Sequence, residues 1–309
     1  ITSFDAYKHV SAIPVVADAR ETLNELTPAL KGFTVAPAYA KRITEEVAFW
    51  NKRVDEAFVD RKLARPSQSE IIGVVNKAID DKDVLICAAG SLPGDLHKMW
   101  RTRDYLGYHV EYAFSCMGYE IAAGVGIARW REERTPVVMV GDGSYLMMHT
   151  EMVSAIAEGL KFIVVLIQNH GFASIGHLSE TVGSERFGTK YRFRDEAKNN
   201  FETGDILPVD LATNAESLGM NVIRIQESPS AISDLSQAIA AAKASTKATL
   251  IHIQSDPLIY SPDNESWWDV PIAQVSTQAS TQNAYKKYQE NVKAQKPLLG
   301  KGSIERGNK

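Results

Sequence analysis

The feature that most limits how this chain can fold is a repeated alternation. Short, continuous apolar runs are each separated by segments with helical spacing. The runs lie at residues 84–88, 137–140, 162–167, 222–225 and 250–253. They are unbroken rather than alternating apolar and polar, as expected for strands buried on both faces. The intervening helical segments are residues 119–130, 150–159, 209–218 and 231–243. This order predicts an α/β fold with a doubly wound parallel sheet. Hydrophobic residues make up 44% and charged residues 23%, which suits a packed core and excludes a disordered chain.

The remaining segments frame this unit. An apolar run at 13–17 reads as a strand, and Ala19, Leu23, Leu26 and Leu30 then fall on one face of a helix. One strand and one helix are too little to bury a core, so residues 1–32 read as the remnant of another domain. Residues 33–65 read as a helical linker, with Trp50, Val54 and Phe58 spaced along one face. Pro66-Ser67 opens a new helix that turns Ile71, Ile72, Val75 and Ile79 inward. The main domain is expected over 66–275. Residues 276–309 form a polar tail with a helix at 285–294.

In open α/β sheets, ligands bind beyond the carboxyl ends of the strands. Gly141-Asp142-Gly143-Ser144 follows one predicted strand directly. Its glycines let the backbone approach a ligand, and Ser144 can help hold an anion. Asp142 would repel a phosphate unless a divalent cation lay between them. Such a loop also serves as a plain turn. Gln168-Asn169-His170-Gly171-Phe172 follows the next strand, with Asn169 27 positions after Asp142. A loop, a helix and a strand fit in that interval. It is therefore one crossover, which places the two strand ends side by side. Asp142 and Asn169 can then share a hard cation through oxygen atoms, with a Gly171 carbonyl as a third ligand.

The GDG run followed at this spacing by Gln168-Asn169 resembles the signature of the thiamine-diphosphate-dependent enzymes. That family has two asparagines where this chain has Gln168-Asn169, and the metal-bearing one is kept. Gly90-Ser91-Leu92, after the run at 84–88, resembles the diphosphate loop of the acetolactate-synthase group, with Leu92-Pro93-Gly94-Asp95 as an insertion. Longer runs are similar to the trihydroxycyclohexanedione hydrolases of myo-inositol breakdown. These are residues 88–98, residues 168–176 and Glu265-Ser266-Trp267-Trp268-Asp269-Val270-Pro271.

The resemblance implies thiamine diphosphate and Mg²⁺ as cofactors. Asp142, Asn169 and Gly171 would hold the metal. Gly90, Ser91, Leu92, Ser115, Met117, Gly143, Ser144, Asn169, Gly171 and Phe172 would contact the cofactor. Met117 would wedge between the two cofactor rings, and Ser115 would accept a hydrogen bond from the aminopyrimidine. The implied reaction is hydrolytic cleavage of a C–C bond in a cyclic 1,2-diketone, releasing 5-deoxy-glucuronate. That family is about twice as long, so this chain would be its carboxyl-terminal half, and 1–32 the remnant of its middle domain. The activating glutamate would lie on a pyrimidine-binding domain in the amino-terminal half or on a partner subunit. A homodimer or tetramer is implied, and the chain alone is expected not to turn over.

Other readings remain beside this one. The chain can be a non-catalytic or proteolytic piece that folds without turnover, or another lyase or decarboxylase of the acetolactate-synthase group. A Mg²⁺-dependent phosphoryl-transfer domain using Asp142 leaves the loops at Gly90 and Met117 unexplained. His170 can face the active site or be structural, and Met117 on its own reads as core, its place between the other motifs alone pointing to the cofactor. His9, His109 and His252 read as structural, Trp267-Trp268 as packing, and Arg186, Arg192 and Arg194 as a solvated face. A net charge of −4 gives no footprint for nucleic acid or an anionic membrane. No apolar run reaches the ~18 residues of a membrane span. Cys87 and Cys116 are too few for a disulfide framework, so a reducing cytoplasm is expected.

Overall fold

The computed structural model describes residues 15–111, 113–130, 133–263 and 270–294. These form two compact units, one of residues 50–263 and one of residues 15–49 with 270–294.

The larger unit is built on six strands: β1 (Val84–Cys87), β2 (Tyr108–Val110), β3 (Pro136–Gly141), β4 (Ile163–Gln168), β5 (Asn221–Arg224) and β6 (Thr249–Gln254). They lie in the order β2-β1-β3-β4-β6-β5, and every pairing is parallel. The doubly wound α/β fold is thus the fold of this chain. The helices are α1 (Ala19–Ala29), α2 (Pro37–Ala57), α3 (Gln68–Ala78), α4 (Ser91–Met99), α5 (Tyr119–Trp130), α6 (Asp142–Met147), α7 (Glu151–Ala157), α8 (Ala173–Thr181), α9 (Leu211–Ser217), α10 (Ala231–Ala244) and α11 (Ala279–Ala294).

The pleat sorts the apolar runs onto two faces. Leu85, Cys87, Val137, Met139, Ile163, Val165, Ile251 and Ile253 pack with α3, α4 and α10. Val84, Ile86, Val138, Val140, Val164, Leu166 and Leu250 pack with α5, α7 and α9. Burying each such side chain stabilises the fold by about 1.5–3 kcal/mol, so the sheet is the rigid base of everything above it. A capping box starts α3: the Ser67 side chain and the Glu70 carboxylate satisfy each other's backbone amides. The far end of α2 joins this core through Val54 and through Trp50, whose indole donates to the Lys98 carbonyl at 2.9 Å.

Four expectations are corrected. Strand β2 is an addition: its three half-buried residues carry too short a pattern to read. Leu92-Pro93-Gly94-Asp95 lies not in a loop but in the first turns of α4. A proline is tolerated in a first turn, where its missing N–H has no intrahelical role. Asp142 likewise begins a helix, α6, capped by Gly141. In the smaller unit, Val15, Val16 and Ala17 are exposed and outside any strand, whereas Ile13 and Pro14 lie outside the described residues. A strand needs a neighbour for its ladder, and the described part of this unit contains only helices. The α1 helix forms where predicted, with Asp18 capping its first amides, but Leu23, Leu26 and Leu30 are exposed.

Candidate cofactor and metal site

The carboxyl ends of β1, β3 and β4 lie next to one another. The β3–β4 ladder runs in register to Gly141 opposite Ile167, so Asp142 and Asn169 follow from neighbouring strand ends. Asp142 is 1% exposed. Its Oδ2 accepts the backbone N–H groups of Asn169 (3.1 Å), His170 (2.7 Å) and Gly171 (3.2 Å), and its Oδ1 accepts that of Gly143 (2.9 Å). Burial pushes its carboxyl up to about 6, with the four amide bonds pulling the other way. Asn169, whose backbone N–H bonds that carboxylate, has a buried Oδ1 without a hydrogen-bond partner. An orphaned carbonyl oxygen and a buried carboxylate at adjoining strand ends make a donor set for a hard divalent cation. Mg²⁺ therefore fits the residues present.

The loop that carries Asn169 is pinned from the far side. Phe172 N donates to Thr189 O and Tyr191 N donates to His170 O, both at 2.8 Å. Thr189 runs so close that a Cβ on Gly171 would lie 2.2 Å from its carbonyl oxygen. Gly143 is crowded in the same way: a Cβ there would meet Phe172 Cδ1 at 2.8 Å and Met117 Cε at 3.3 Å. The structure thus brings Met117, Gly143 and Phe172 together as one apolar wall beside Asp142. The Phe172 ring stands edge-on to Tyr191 at 5.4 Å.

Gly90 caps α4, whose first turn begins Ser91-Leu92. Such a turn offers backbone N–H groups without intrahelical partners. The Ser91 hydroxyl itself is 3.0 Å from Gln68 Oε1, and the Leu92 side chain is buried in the core, so any cofactor contact at these two falls to the backbone. Ser115 has φ +51, and its hydroxyl donates to Ala88 O at 3.2 Å. Ser144 departs most from expectation. It is buried, its hydroxyl accepts the Gly118 N–H at 2.8 Å, and it donates to Glu120 at 2.7 Å. Its hydroxyl is held inside the protein rather than offered to a phosphate.

Sequence reasoning missed Glu120. A lone glutamate in a helical run reads as surface, yet this one is 1% exposed. The signal was available: α5 reads Ile-Ala-Ala-Gly-Val-Gly-Ile-Ala after it, with no polar face to carry a charge outward.

Gln168, where the family has asparagine, joins two histidines. His252 Nε2 lies 2.7 Å from Gln168 Oε1, and Gln168 Nε2 lies 3.3 Å from His170 Nδ1. His170 Nε2 is 2.9 Å from Gln254 Oε1. Both ring nitrogens of His170 are therefore engaged by glutamines, and the ring belongs to this strand-end network. His109 bonds the Tyr119 hydroxyl at 2.7 Å. His149 stacks on Tyr145 and His177 on Tyr260. The solvated-face reading fails for Arg186, which is 6% exposed and paired with Glu180 at 2.6 Å. The half-buried Arg192 donates to Gly204 O at 2.7 Å, while Arg194 is exposed beside Asn199. His9, Glu265, Ser266, Trp267, Trp268 and Asp269 lie outside the described residues.

A parallel sheet with a buried carboxylate, an orphaned amide oxygen and an apolar wall at adjoining strand ends matches a class of cofactor-binding domain. Residues 88–253 match the family described as thiamine pyrophosphate enzyme, C-terminal TPP binding domain. This chain belongs to that family. More particularly, it is similar to curated trihydroxycyclohexanedione hydrolases. The 3D-(3,5/4)-trihydroxycyclohexane-1,2-dione hydrolase of Geobacillus thermodenitrificans is 35% identical over 320 residues, covering 95% of this chain and 48% of the relative. Hydrolase 2 of that name from Bacillus cereus is 33% identical over 316 residues, covering 94% and 48%. The chain therefore spans about half the length of these relatives. Among solved structures, the thiamine diphosphate-dependent 4-hydroxybenzoylformate decarboxylase of Rhodococcus jostii RHA1 aligns with TM-score 0.51 at 16% identity, over 62% of this chain and 33% of the other, a likeness of fold.

Proposed function

We propose that this chain forms the diphosphate- and metal-binding half of a trihydroxycyclohexanedione hydrolase active site. The observation that carries the reading is the buried, orphaned Asn169 Oδ1, on a residue whose backbone N–H bonds the Asp142 carboxylate. Asp142 and Asn169 would hold Mg²⁺, with Gly171 contributing backbone. Gly143 and the first turn of α4, from Gly90, would receive the diphosphate. Met117 and Phe172 would shape the cofactor and exclude water from one side of it. When bound, thiamine diphosphate supplies a carbanion nucleophile, which the side chains of this domain do not provide.

The substrate class is a cyclic 1,2-dione opened by hydrolysis, as the relatives' names suggest; C–C cleavage to 5-deoxy-glucuronate is what the sequence resemblance implies. A pyrimidine-binding domain would supply the glutamate that activates the cofactor, from another segment or from a partner subunit of a homodimer or tetramer. Two free cysteines suit a cytoplasmic setting, and no helix among the described residues is long and apolar enough to cross a membrane. Calorimetric titration of the chain with thiamine diphosphate in MgCl₂ is expected to show binding that EDTA abolishes. The chain by itself is expected to show no dione hydrolysis. Absence of binding refutes the cofactor assignment, and turnover by the chain alone refutes the half-site assignment.

A further inference from the structure

Three segments meet at Glu120, and each carries one part of the candidate cofactor site. Glu120 Oε1 accepts the Ala89 N–H at 3.2 Å, and Oε2 accepts the Gly118 N–H at 3.1 Å. The Ser144 hydroxyl donates to the same carboxylate, 2.7 Å from Oε1 and 2.8 Å from Oε2. It also accepts the Gly118 N–H at 2.8 Å, which closes a triangle. Ala89 precedes Gly90 at the diphosphate loop. Gly118 follows Met117, and Ser144 follows Gly143.

We propose that Glu120 is a positioning residue, a buried carboxylate clamp that sets the mutual spacing of the Gly90, Met117 and Gly143 segments and thereby preorganises the cofactor site. The proposal rests on the cofactor reading above for its purpose, but not for its geometry. Every group reaching the carboxylate is a donor, which favours the acceptor-only ionised form, while burial pulls the other way and raises its carboxyl above the usual range. None of its hydrogen-bond partners is a cationic side chain. The charge is instead met by oriented dipoles, including the first turn of α5. A carboxylate buried without a counter-ion is unfavourable unless fully hydrogen-bonded, and an apolar side chain fills such a volume more favourably. What an apolar residue cannot do is tie three separate segments to one point. The Gly118 backbone is suited to being tied there: its φ is +92°, and a Cβ would lie 2.7 Å from Met148 Cβ. The position of Met117 is therefore set by a glycine turn that the clamp holds.

The test uses the 309-residue chain with Glu120→Gln, Ser144→Ala and the double variant. Glu120→Gln keeps the shape but turns an amide NH₂ toward donors. Ser144→Ala is the milder change and keeps the test available should the first variant fold poorly. Hydrogen exchange of the ligand-free chain is followed by mass spectrometry, alongside titration with thiamine diphosphate in MgCl₂. Glu120→Gln is expected to speed exchange at Ala89 and Gly118 about tenfold or more with β3 and β4 still protected, and to weaken cofactor binding about 10–100-fold. Ser144→Ala is expected to do the same about 3–10-fold. The double variant should match Glu120→Gln closely, because the two share one contact.

Unchanged exchange at both amides overturns the clamp. So does accelerated exchange with unchanged cofactor affinity, which would leave Glu120 a merely structural group. If the unsubstituted chain binds no thiamine diphosphate while exchange still responds, the cofactor reading falls and the three-way contact stands.

Discussion

Replacing Asp142 by asparagine separates the site's function from the stability of the fold. The folded protein holds this carboxyl at about 6 rather than the ordinary 3.8, chiefly because it is buried. That gap corresponds to roughly 3 kcal/mol favouring the neutral form. Stability from this group is fully present below the unfolded value near 3.8 and is lost as pH rises through about 6. At pH 7.5 the ligand-free chain therefore carries an ionised group that disfavours folding. Asp142→Asn removes that charge. Its carbonyl can take the three amides now on Oδ2, which leaves its NH₂ facing Gly143 N, 2.9 Å from Oδ1 today. That mismatch costs about 1–3 kcal/mol.

The two effects oppose each other, so the ligand-free variant should be as stable as the parent or up to about 2 kcal/mol more stable. In a domain of this size that is a midpoint shift of about 0–8 °C upward. The ligand response should go the other way. At a hundredfold excess over Kd, cofactor and Mg²⁺ stabilise the parent by about 2.7 kcal/mol, and the variant should lose this response. Thermal melts at pH 5 and 7.5, with and without thiamine diphosphate and Mg²⁺, read all four quantities. The ligand-free parent should gain on the variant as pH falls to 5. A ligand-free variant that is less stable by more than about 2 kcal/mol, or one that keeps the ligand shift, refutes the reasoning.

Three further outcomes are expected. Gly143→Ala places a methyl 2.8 Å from the Phe172 ring and 3.3 Å from Met117 Cε; it should lower stability by about 1–3 kcal/mol and weaken thiamine diphosphate binding by calorimetry more than it weakens Mg²⁺ binding. Gly171→Ala drives a methyl to 2.2 Å from the Thr189 carbonyl oxygen; because backbone must move, denaturant melts should show a loss of about 3 kcal/mol or more. Gln168→Asn installs the residue of the family pattern but is one methylene too short for the 2.7 Å contact to His252; a loss of about 1–2 kcal/mol by denaturant melts is expected, together with a changed His252 imidazole signal by NMR.

The parts of the molecule that could be read early are those where one physical signal dominates. β3 and β4 are continuous apolar runs because both faces are buried, and burial needs no knowledge of the rest of the chain. The adjacency of Asp142 and Asn169 followed from crossover length alone. β2 was missed because Tyr108–Val110 is a short, half-buried edge with no pattern. The start of α4 was missed because proline and glycine usually mark a loop, and only the position of Pro93 in a first turn makes it permissible. Glu120 and Ser144 were missed or misassigned for a deeper reason. Which polar groups face one another depends on how loops from three distant parts of the chain converge, and no local spacing records that. Leu92 shows the same limit: its neighbourhood in sequence points to the cofactor, while its side chain points to the core.

The β3–β4 ladder sets the separation of the strand ends that carry Asp142 and Asn169, and the segment that joins them in sequence does not. Between them the chain leaves the sheet, forms α6 and α7 and returns through an exposed turn at Gly159. Doubling the length of such a turn costs only about 0.6 kcal/mol in closure entropy. The interval of 27 residues between Asp142 and Asn169 is therefore elastic, while their distance in space is not. Extra residues spliced in after Gly159, even a small folded reporter, would lengthen the path along the chain and leave Asp142 and Asn169 where they are.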